Sequence, residues 1–300
     1  MKNKIYIHLS GGLGNQMFQY AAAKSLSIKK NYTLIVDTGS GYLKDSVDSF
    51  KLIKKNLKNA SFKKFDIIFI IFRLLKKIFK FNKAFNNFFW MTIVDETVLN
   101  NFSKKIKYFY ENKNIYLLGY FQSEKYFLDS KEIILKELTP PKPKIKNFLQ
   151  MQKKIINSNS VSIGIRFYEL LSKNLVSKMG GVASKDFYKK SVRAILKKIS
   201  KPKFFLFSTK ISNIEQILEE IPELKKFDIN FITADQGYVD AYSNIWLMSY
   251  CKHHIICNST LYWWAVYFSE LRYKNQQIIC SDNFINRDTC PERWRYKNLY

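Results

Sequence analysis

Acidic residues are scarce in this chain, whose 300 residues include 24 aspartates and glutamates against 50 lysines and arginines. Histidine occurs only three times, and no two aspartates stand one residue apart. Because divalent cations are usually held by carboxylates, the sequence predicts no metal site and no cofactor. A bound diphosphate would instead be neutralised by arginine, lysine and main-chain N–H groups.

Cysteine is also scarce, and its spacing does not indicate a metal site. The four cysteines, Cys251, Cys257, Cys280 and Cys290, lie in the last fifty residues and include no Cys-x-x-Cys pair. We expect reduced thiols and a cytoplasmic protein. No apolar run approaches the roughly 20 residues that span a bilayer, and the opening MKNKIYIHLS lacks the apolar stretch of an export signal.

The formal charge of +26 would attract nucleic acid, an anionic membrane or a phosphorylated substrate, although a coding bias toward A and T explains the lysine content equally well. Residues 51–90 hold eleven basic residues and one acid, Asp66. Apolar residues from Phe65 to Leu75 fall at helical spacing. Such a helix could lie on the inner face of the cytoplasmic membrane, or pack inward with a solvated basic back. We expect no nucleic-acid partner.

Strands and helices alternate along the chain. The predicted strands are residues 4–9, 32–36, 115–119, 161–165, 203–208, 229–233, 254–257 and 276–280, and the main predicted helices are 15–30, 123–137, 184–199, 211–220, 240–250 and 260–270. Alternation of this kind predicts an α/β fold with parallel sheets and helices on both faces. The proline-rich segment TPPKPKIK predicts a linker between an N-terminal domain, residues 1–140, and a C-terminal domain, residues 147–300.

The segment Gly11–Ala21, GGLGNQMFQYA, joins the first strand to the first helix. Gly12 and Gly14 allow the backbone to approach a ligand closely, and Asn15 and Gln16 place carboxamides at the start of the helix. A third glycine of the dinucleotide-binding fingerprint is missing. The segment therefore predicts a ligand-binding loop of another kind, with an ordinary tight turn as the alternative.

Polar side chains follow three predicted strands of the C-terminal half. Arg166 follows the first, Ser208 the second, and Asn258, Ser259 and Thr260 the third. Ligands bind at the carboxyl ends of parallel strands, and a guanidinium can hold two phosphate oxygens. These residues predict a diphosphate site, although an ion-paired surface arginine and a simple helix cap would look the same in the sequence.

Two pairs of neighbouring residues near the third strand are better explained by packing. His253 and His254 point to opposite faces of a strand and cannot both bind one metal, so we expect one of them to be a hydrogen-bonded core residue. Trp263 and Trp264 are predicted to be core residues rather than sugar-stacking platforms.

Three motifs resemble the bacterial α-1,2-fucosyltransferases of glycosyltransferase family 11. They are Gly11–Ala21, GYFQ at Gly119–Gln122, and the stretch from Leu247 to Trp264, which is similar to the family's LMS…HHII.NST.SWW. The resemblance implies a GT-B fold of two Rossmann-like domains facing across a cleft. It also implies metal-independent, inverting transfer of fucose from GDP-fucose, bound mainly by the C-terminal half, to a galactose-type hydroxyl of a surface glycan.

The chain departs from the family at its central motif, His-x-Arg-Arg-Gly-Asp, which aligns with Gly164–Glu169, GIRFYE. Arg166 alone is unchanged there. A common aspartate before Leu-Trp-Leu-Met-Ser is Asn244 here. These departures leave two alternatives open, a transferase that uses another nucleotide sugar and a non-catalytic protein that binds membranes or nucleic acid through its basic surface.

The resemblance and the residue patterns together predict the following roles. The donor is predicted to be bound by Gly12, Gly14, Gln16, Arg166, Ser208, Asn258, Ser259 and Thr260. Arg166, Glu169 and Asn15 are predicted to act at the reacting atoms, with Glu169 as the first candidate for the base that accepts the proton and Asp37 as the second. The partners are then a nucleotide-sugar donor and a glycan acceptor, free or lipid-linked.

Overall fold

The structure is a computed structural model that describes residues 2–39, 52, 54–63, 67, 71, 84–88, 90–99, 101–108, 112–168 and 172–295. The chain forms two compact units, which divide between Thr139 and Pro140 inside the proline-rich segment. Asn286–Thr289 belong to the first unit although the sequence analysis assigns them to the C-terminal domain.

The first unit is built on one sheet. Its strands are β1 (Lys4–His8), β2 (Thr33–Asp37), β3 (Ala60–Lys63), β4 (Phe85–Asn87), β5 (Met91–Asp95) and β6 (Asn114–Leu118), and its helices are α1 (Leu13–Lys30), α2 (Lys104–Tyr108) and α3 (Lys131–Leu138). The strand order is β3-β2-β1-β6-β5-β4, parallel except for β4. Parallel pairing therefore places the carboxyl ends of β1, β2, β5 and β6 at one edge.

Helix α1 is joined to α3 by a buried ion pair and a hydrogen bond. Lys24 Nζ lies 2.9 Å from Glu137 Oε1, and both side chains are almost fully buried. Tyr20 Oη donates a 2.6 Å hydrogen bond to Glu137 Oε2. Each charge is paired, as the high cost of burying a charge requires.

The second unit has a parallel sheet throughout. Its strands are β7 (Ser160–Gly164), β8 (Lys203–Phe207), β9 (Ile229–Ile232), β10 (His253–Ile256) and β11 (Ile278–Cys280), and its helices are α4 (Lys146–Ile156), α5 (Lys173–Lys178), α6 (Lys185–Leu196), α7 (Ile211–Glu220), α8 (Ala241–Ser249) and α9 (Thr260–Ser269). The order is β11-β10-β7-β8-β9, so β7 is the central strand. These two sheets, with helices between their strands, confirm the predicted α/β fold of GT-B type with two Rossmann-like units.

The core of the second unit is strongly aromatic. Trp263 and Trp264 are both fully buried, which confirms that they are core residues. The Trp263 ring stacks on Tyr267 with centroids 4.6 Å apart and packs against Trp294 at 5.3 Å.

Several elements differ from the prediction. Residues 123–137 do not form one helix, because two 3-10 turns, Glu124–Tyr126 and Leu128–Ser130, precede α3. The prediction also missed α4, which starts at the end of the proline-rich segment and buries Phe148 and Ile155. The strands β3, β4 and β5 were missed as well.

The basic segment 51–90 is described only in part. The helix predicted from Phe65 to Leu75 lies outside the described residues apart from Ile67 and Ile71, both of which are exposed. Among the helices that the structure describes, none combines the length and the apolarity needed to cross a bilayer. Contact of this segment with a membrane surface stays a prediction.

His254 is the hydrogen-bonded core histidine that the sequence predicts. It is fully buried in β10, with Nδ1 2.7 Å from Ser162 Oγ and Nε2 3.3 Å from Gln276 Nε2. Burial, followed by the nearby charge of His253, lowers the pKa of His254 from 6.5 to about 3.

The low pKa of His254 predicts that the folded protein loses stability on acidification at pH values above those at which carboxylates titrate. Below pH 6.5 the unfolded chain binds a proton at His254 that the folded chain does not bind. The free energy of unfolding therefore decreases as the pH is lowered, by up to about 1.4 kcal/mol per pH unit. We expect the thermal unfolding midpoint to drop between pH 7 and pH 5, and His254→Gln to flatten this dependence. An unchanged slope in His254→Gln would contradict the assignment.

Candidate functional site

Two glycines of the loop between β1 and α1 differ in their surroundings. A side chain would not fit at Gly11, whereas there is open space at Gly12. Gly11 has φ +69°, and a Cβ there would lie 2.6 Å from Asn15 Nδ2. A Cβ at Gly12 would meet nothing within 4 Å. Gly12 directly precedes α1 and has no side chain to cap it, and Gly14 is buried in the first turn. The backbone at Gly12 is thus open to a ligand.

Carboxamides connect this loop to the GYFQ motif. Asn15 Oδ1 accepts a 2.9 Å hydrogen bond from Gln122 Nε2, so the fold brings these two predicted motifs together. Gln19 Nε2 donates to Gly119 O at 3.1 Å. Gln16 is fully buried, and its Nε2 donates to Gly11 O at 2.9 Å. Gln16 supports the loop from inside, and its contact with a donor stays a prediction.

Glu96 is a buried carboxylate that the sequence analysis missed. Its Oε2 accepts from Phe121 N at 3.1 Å and its Oε1 from Asn286 Nδ2 at 3.1 Å. Gly119 passes so close that a Cβ there would lie 2.7 Å from Glu96 Oε2. Burial raises the pKa of Glu96 against the effect of these hydrogen bonds. Its position directly after the missed strand β5 is the signal that would have revealed it.

Of the two candidate bases, only Asp37 is described. It ends β2, is 2% exposed, and its Oδ1 accepts a 3.0 Å hydrogen bond from Gly39 N. Glu169 lies outside the described residues. A role as base stays a prediction for both residues.

Arg166 lies two residues beyond β7 in the second unit and is partly exposed. Its guanidinium carbon lies 4.6 Å from the centroid of the Tyr168 ring. No carboxylate of the described residues forms an ion pair with Arg166. Its charge is therefore not neutralised by that part of the chain, which is the state expected of an anion-binding arginine.

Asn258, Ser259 and Thr260 lead from β10 into α9. Ser259 lies at the N-cap of α9, and its side chain makes no capping hydrogen bond. The side-chain Nδ2 of Asn258 donates to Met179 O at 3.2 Å and to Gly181 O at 2.9 Å. Asn258 Oδ1 is buried and has no hydrogen-bond partner in the part of the chain described. Asn258 thus joins neighbouring loops through its nitrogen and leaves its oxygen for another partner.

Strand pairing brings Arg166 and this helix start to the same edge. Ile256 of β10 pairs with Gly164 of β7, so Arg166 and Asn258 each lie two residues beyond paired positions of adjacent strands. Ser208 follows β8 at this edge, but it is almost buried and accepts a 3.0 Å hydrogen bond from Asn213. The groups at this sheet edge that could bind an anion are therefore Arg166 and the N–H groups of the first turn of α9.

Tyr262 explains why the central motif begins with glycine in this chain. A Cβ at Gly164 would lie 2.6 Å from Tyr262 Cδ2, so the ring occupies the space of a side chain there. In the family patterns that the sequence resembles, histidine aligns with Gly164 and the serine of the pattern NST.SWW aligns with Tyr262. We therefore expect the two differences to compensate in volume, which the linear sequence does not reveal because α9 and β7 are far apart in it.

No group of three or more histidine, cysteine, aspartate or glutamate side chains in the described residues is arranged to hold a metal ion. The four cysteines are buried and form no disulfide. That the protein works without a metal stays a prediction.

A Rossmann-like unit with an arginine and an uncapped helix start at the carboxyl edge of its sheet is typical of proteins that bind a nucleoside diphosphate. The chain belongs to glycosyl transferase family 11, whose family model matches residues 1–283. This family identity confirms the resemblance and makes the protein a glycosyltransferase.

Two Escherichia coli proteins are similar over nearly their whole length. The alpha-1,2-colitosyltransferase is 30% identical over 97% of this chain and 97% of its own. The O-antigen biosynthesis glycosyltransferase WbnK is 29% identical over 90% and 92%, respectively. Among solved structures, the fucosyltransferase NodZ from Bradyrhizobium matches with a TM-score of 0.48 and 14% identity, over 88% of this chain and 92% of that chain.

The contact between Gly164 and Tyr262 predicts a compensating pair of substitutions. We expect Gly164→His alone to lower stability by about 3 kcal/mol because the new side chain overlaps the Tyr262 ring. Adding Tyr262→Ser should recover much of that loss, as measured by chemical denaturation in a double-mutant cycle.

The control for this cycle is Gly164→His combined with Tyr188→Phe. The Tyr188 hydroxyl donates to Gly164 O at 3.0 Å, but its removal opens no room for the histidine. Equal recovery in both double variants, or additive losses with Tyr262→Ser, would show that the ring does not limit this position.

Proposed function

We propose that the protein transfers fucose from GDP-fucose to a galactose-type hydroxyl of a bacterial surface glycan. The transfer inverts the anomeric carbon, forms an α-1,2 linkage and needs no metal. One observation carries this proposal, the placement of Arg166 and the uncapped start of α9 beyond the paired ends of β7 and β10.

The chemistry of the leaving group explains why this placement suits glycosyl transfer. As the bond between sugar and diphosphate breaks, positive charge grows on the sugar ring and negative charge on the departing phosphate. A guanidinium and main-chain N–H groups directed at that phosphate stabilise the transition state more than the ground state. In this proposal Arg166 and the backbone at Ser259 and Thr260 supply these groups, and Asn258 Oδ1 accepts a hydrogen bond from the donor.

The first unit is proposed to contact the transferred sugar of the donor and the acceptor. The open backbone at Gly12 and the hydrogen-bonded pair of Asn15 and Gln122 provide both donors and acceptors, which sugar hydroxyls require. Either Asp37 or Glu169 is proposed to accept the proton of the attacking hydroxyl.

Colitose is the second candidate for the transferred sugar. The similarity to the alpha-1,2-colitosyltransferase, 30% identity over 97% of both chains, favours it. Colitose is fucose without the 3-hydroxyl group, so the two donors share the nucleotide and the leaving group. The departures at the central motif, beginning with Gly164, are compatible with either sugar.

We expect Arg166→Ala to lower the rate of transfer by about 10²-fold or more, because one donor to a developing negative charge is worth that much. Arg166→Lys should be intermediate, since an ammonium cannot hold two oxygens in a planar fork. Initial rates of sugar transfer measure both effects. The control is Arg193→Ala, which removes an exposed arginine paired with Glu223 in the same unit. Near-normal transfer by Arg166→Ala would refute the proposed mechanism.

A donor panel separates the remaining possibilities. We expect GDP, GDP-fucose or GDP-colitose to raise the thermal unfolding midpoint, since ligands that bind only the folded state stabilise it. Release of GDP from each donor, measured with EDTA present, identifies the sugar. Stabilisation by no guanosine nucleotide, together with no transfer, would favour the non-catalytic alternative.

A further inference from the structure

Tyr168 has a backbone conformation that is rare for a large side chain. Its φ is +57°, in the left-handed region that glycine and asparagine occupy most readily. The family motif that the sequence resembles has glycine at this position, a residue that adopts such a φ at little cost, whereas this chain has an aromatic residue there. A strained residue of this kind persists only where its surroundings hold it.

Two contacts hold Tyr168. Its hydroxyl donates a 3.2 Å hydrogen bond to Asn258 O. Asn258 is followed by Ser259, the N-cap residue of α9. Its side chain is 6% exposed, and burial raises its pKa to about 12 against the opposing effect of the Arg166 charge. The phenol therefore stays protonated at neutral pH and donates this hydrogen bond.

The second contact restrains Arg166. The guanidinium carbon lies 4.6 Å from the Tyr168 ring centroid, within the range of a cation–π interaction. Arg166 makes no ion pair with the described residues. The interaction that the structure shows for its positive charge is the one with the face of the Tyr168 ring. A free arginine side chain samples many rotamers, and fixing it before binding lowers the entropic cost of gripping a ligand.

We infer that Tyr168 is a positioning residue for Arg166. Its ring orients the guanidinium, and its hydroxyl ties this residue pair to the turn at the start of α9, so that both anion-binding groups are in place before the donor binds. This inference rests on the proposed function, because it assumes that Arg166 binds the donor's diphosphate.

A double-mutant cycle with GDP as the ligand tests the inference without knowledge of the sugar. The variants Tyr168→Leu and Tyr168→Phe are made in the wild-type and Arg166→Ala backgrounds, and the Kd for GDP is measured by calorimetry. We expect Tyr168→Leu to weaken GDP binding about tenfold in the wild type and less than about twofold in Arg166→Ala. Tyr168→Phe keeps the ring and should stay within about threefold of wild type.

Two further variants exclude a purely structural effect. Tyr168→Gly suits the left-handed φ, so it should fold even if Tyr168→Leu does not, and it should show the same dependence on Arg166. Phe167→Leu changes the neighbouring ring, and among the described residues the ring found over the Arg166 guanidinium is that of Tyr168. This variant should leave the Kd for GDP unchanged.

The outcomes distinguish failure of the inference from failure of the proposed function. Equal losses from Tyr168→Gly in both backgrounds, with Arg166→Ala itself weakening GDP binding, would overturn the inference and leave the proposed function standing. Wild-type protein that does not bind GDP, or Arg166→Ala that binds it normally, would overturn the proposed function.

Discussion

Parallel pairing of β7 with β10 is the constraint on which the candidate donor site depends. Because Gly164 pairs with Ile256, the loops after both strands start side by side at the carboxyl edge of the sheet. Arg166 and Asn258 are ninety-two positions apart in the chain, and only this pairing brings them to one edge. Asn258 then stabilises the edge by hydrogen bonds to the 179–181 turn. The position of the charge is thus a property of the sheet rather than of either loop.

Aromatic side chains surround the end of β7, where the sequence departs from the family motif that it resembles. Tyr262 occupies the space next to Gly164, Tyr188 donates to the carbonyl of Gly164, and Tyr168 contacts Arg166. These contacts surround Gly164 and Arg166 with packed aromatic side chains. The arginine of the motif is thus kept in an aromatic environment.

The first unit shows the same dependence on contacts between distant segments. Asn15 and Gln122 belong to separate motifs of the sequence, and one hydrogen bond joins them. Glu96 holds the turn that contains Phe121 and also bonds Asn286, almost two hundred residues away. Neither contact has a signature in local sequence, because carboxamides and carboxylates occur in loops for many reasons.

The alternation of strands and helices determined the α/β fold by itself, because buried parallel strands are short continuous apolar runs whereas amphipathic helices are longer and carry apolar residues at helical spacing. Apolar clustering likewise identified Trp263 and Trp264 as core residues. The short strands β3 and β4 escaped prediction because their pairing, not their composition, defines them. The partners of Gly164 and Glu96, and the placement of Arg166 at the same sheet edge as Asn258, were decided only by the tertiary structure, because packing, hydrogen bonding and strand pairing join residues that the linear order keeps apart.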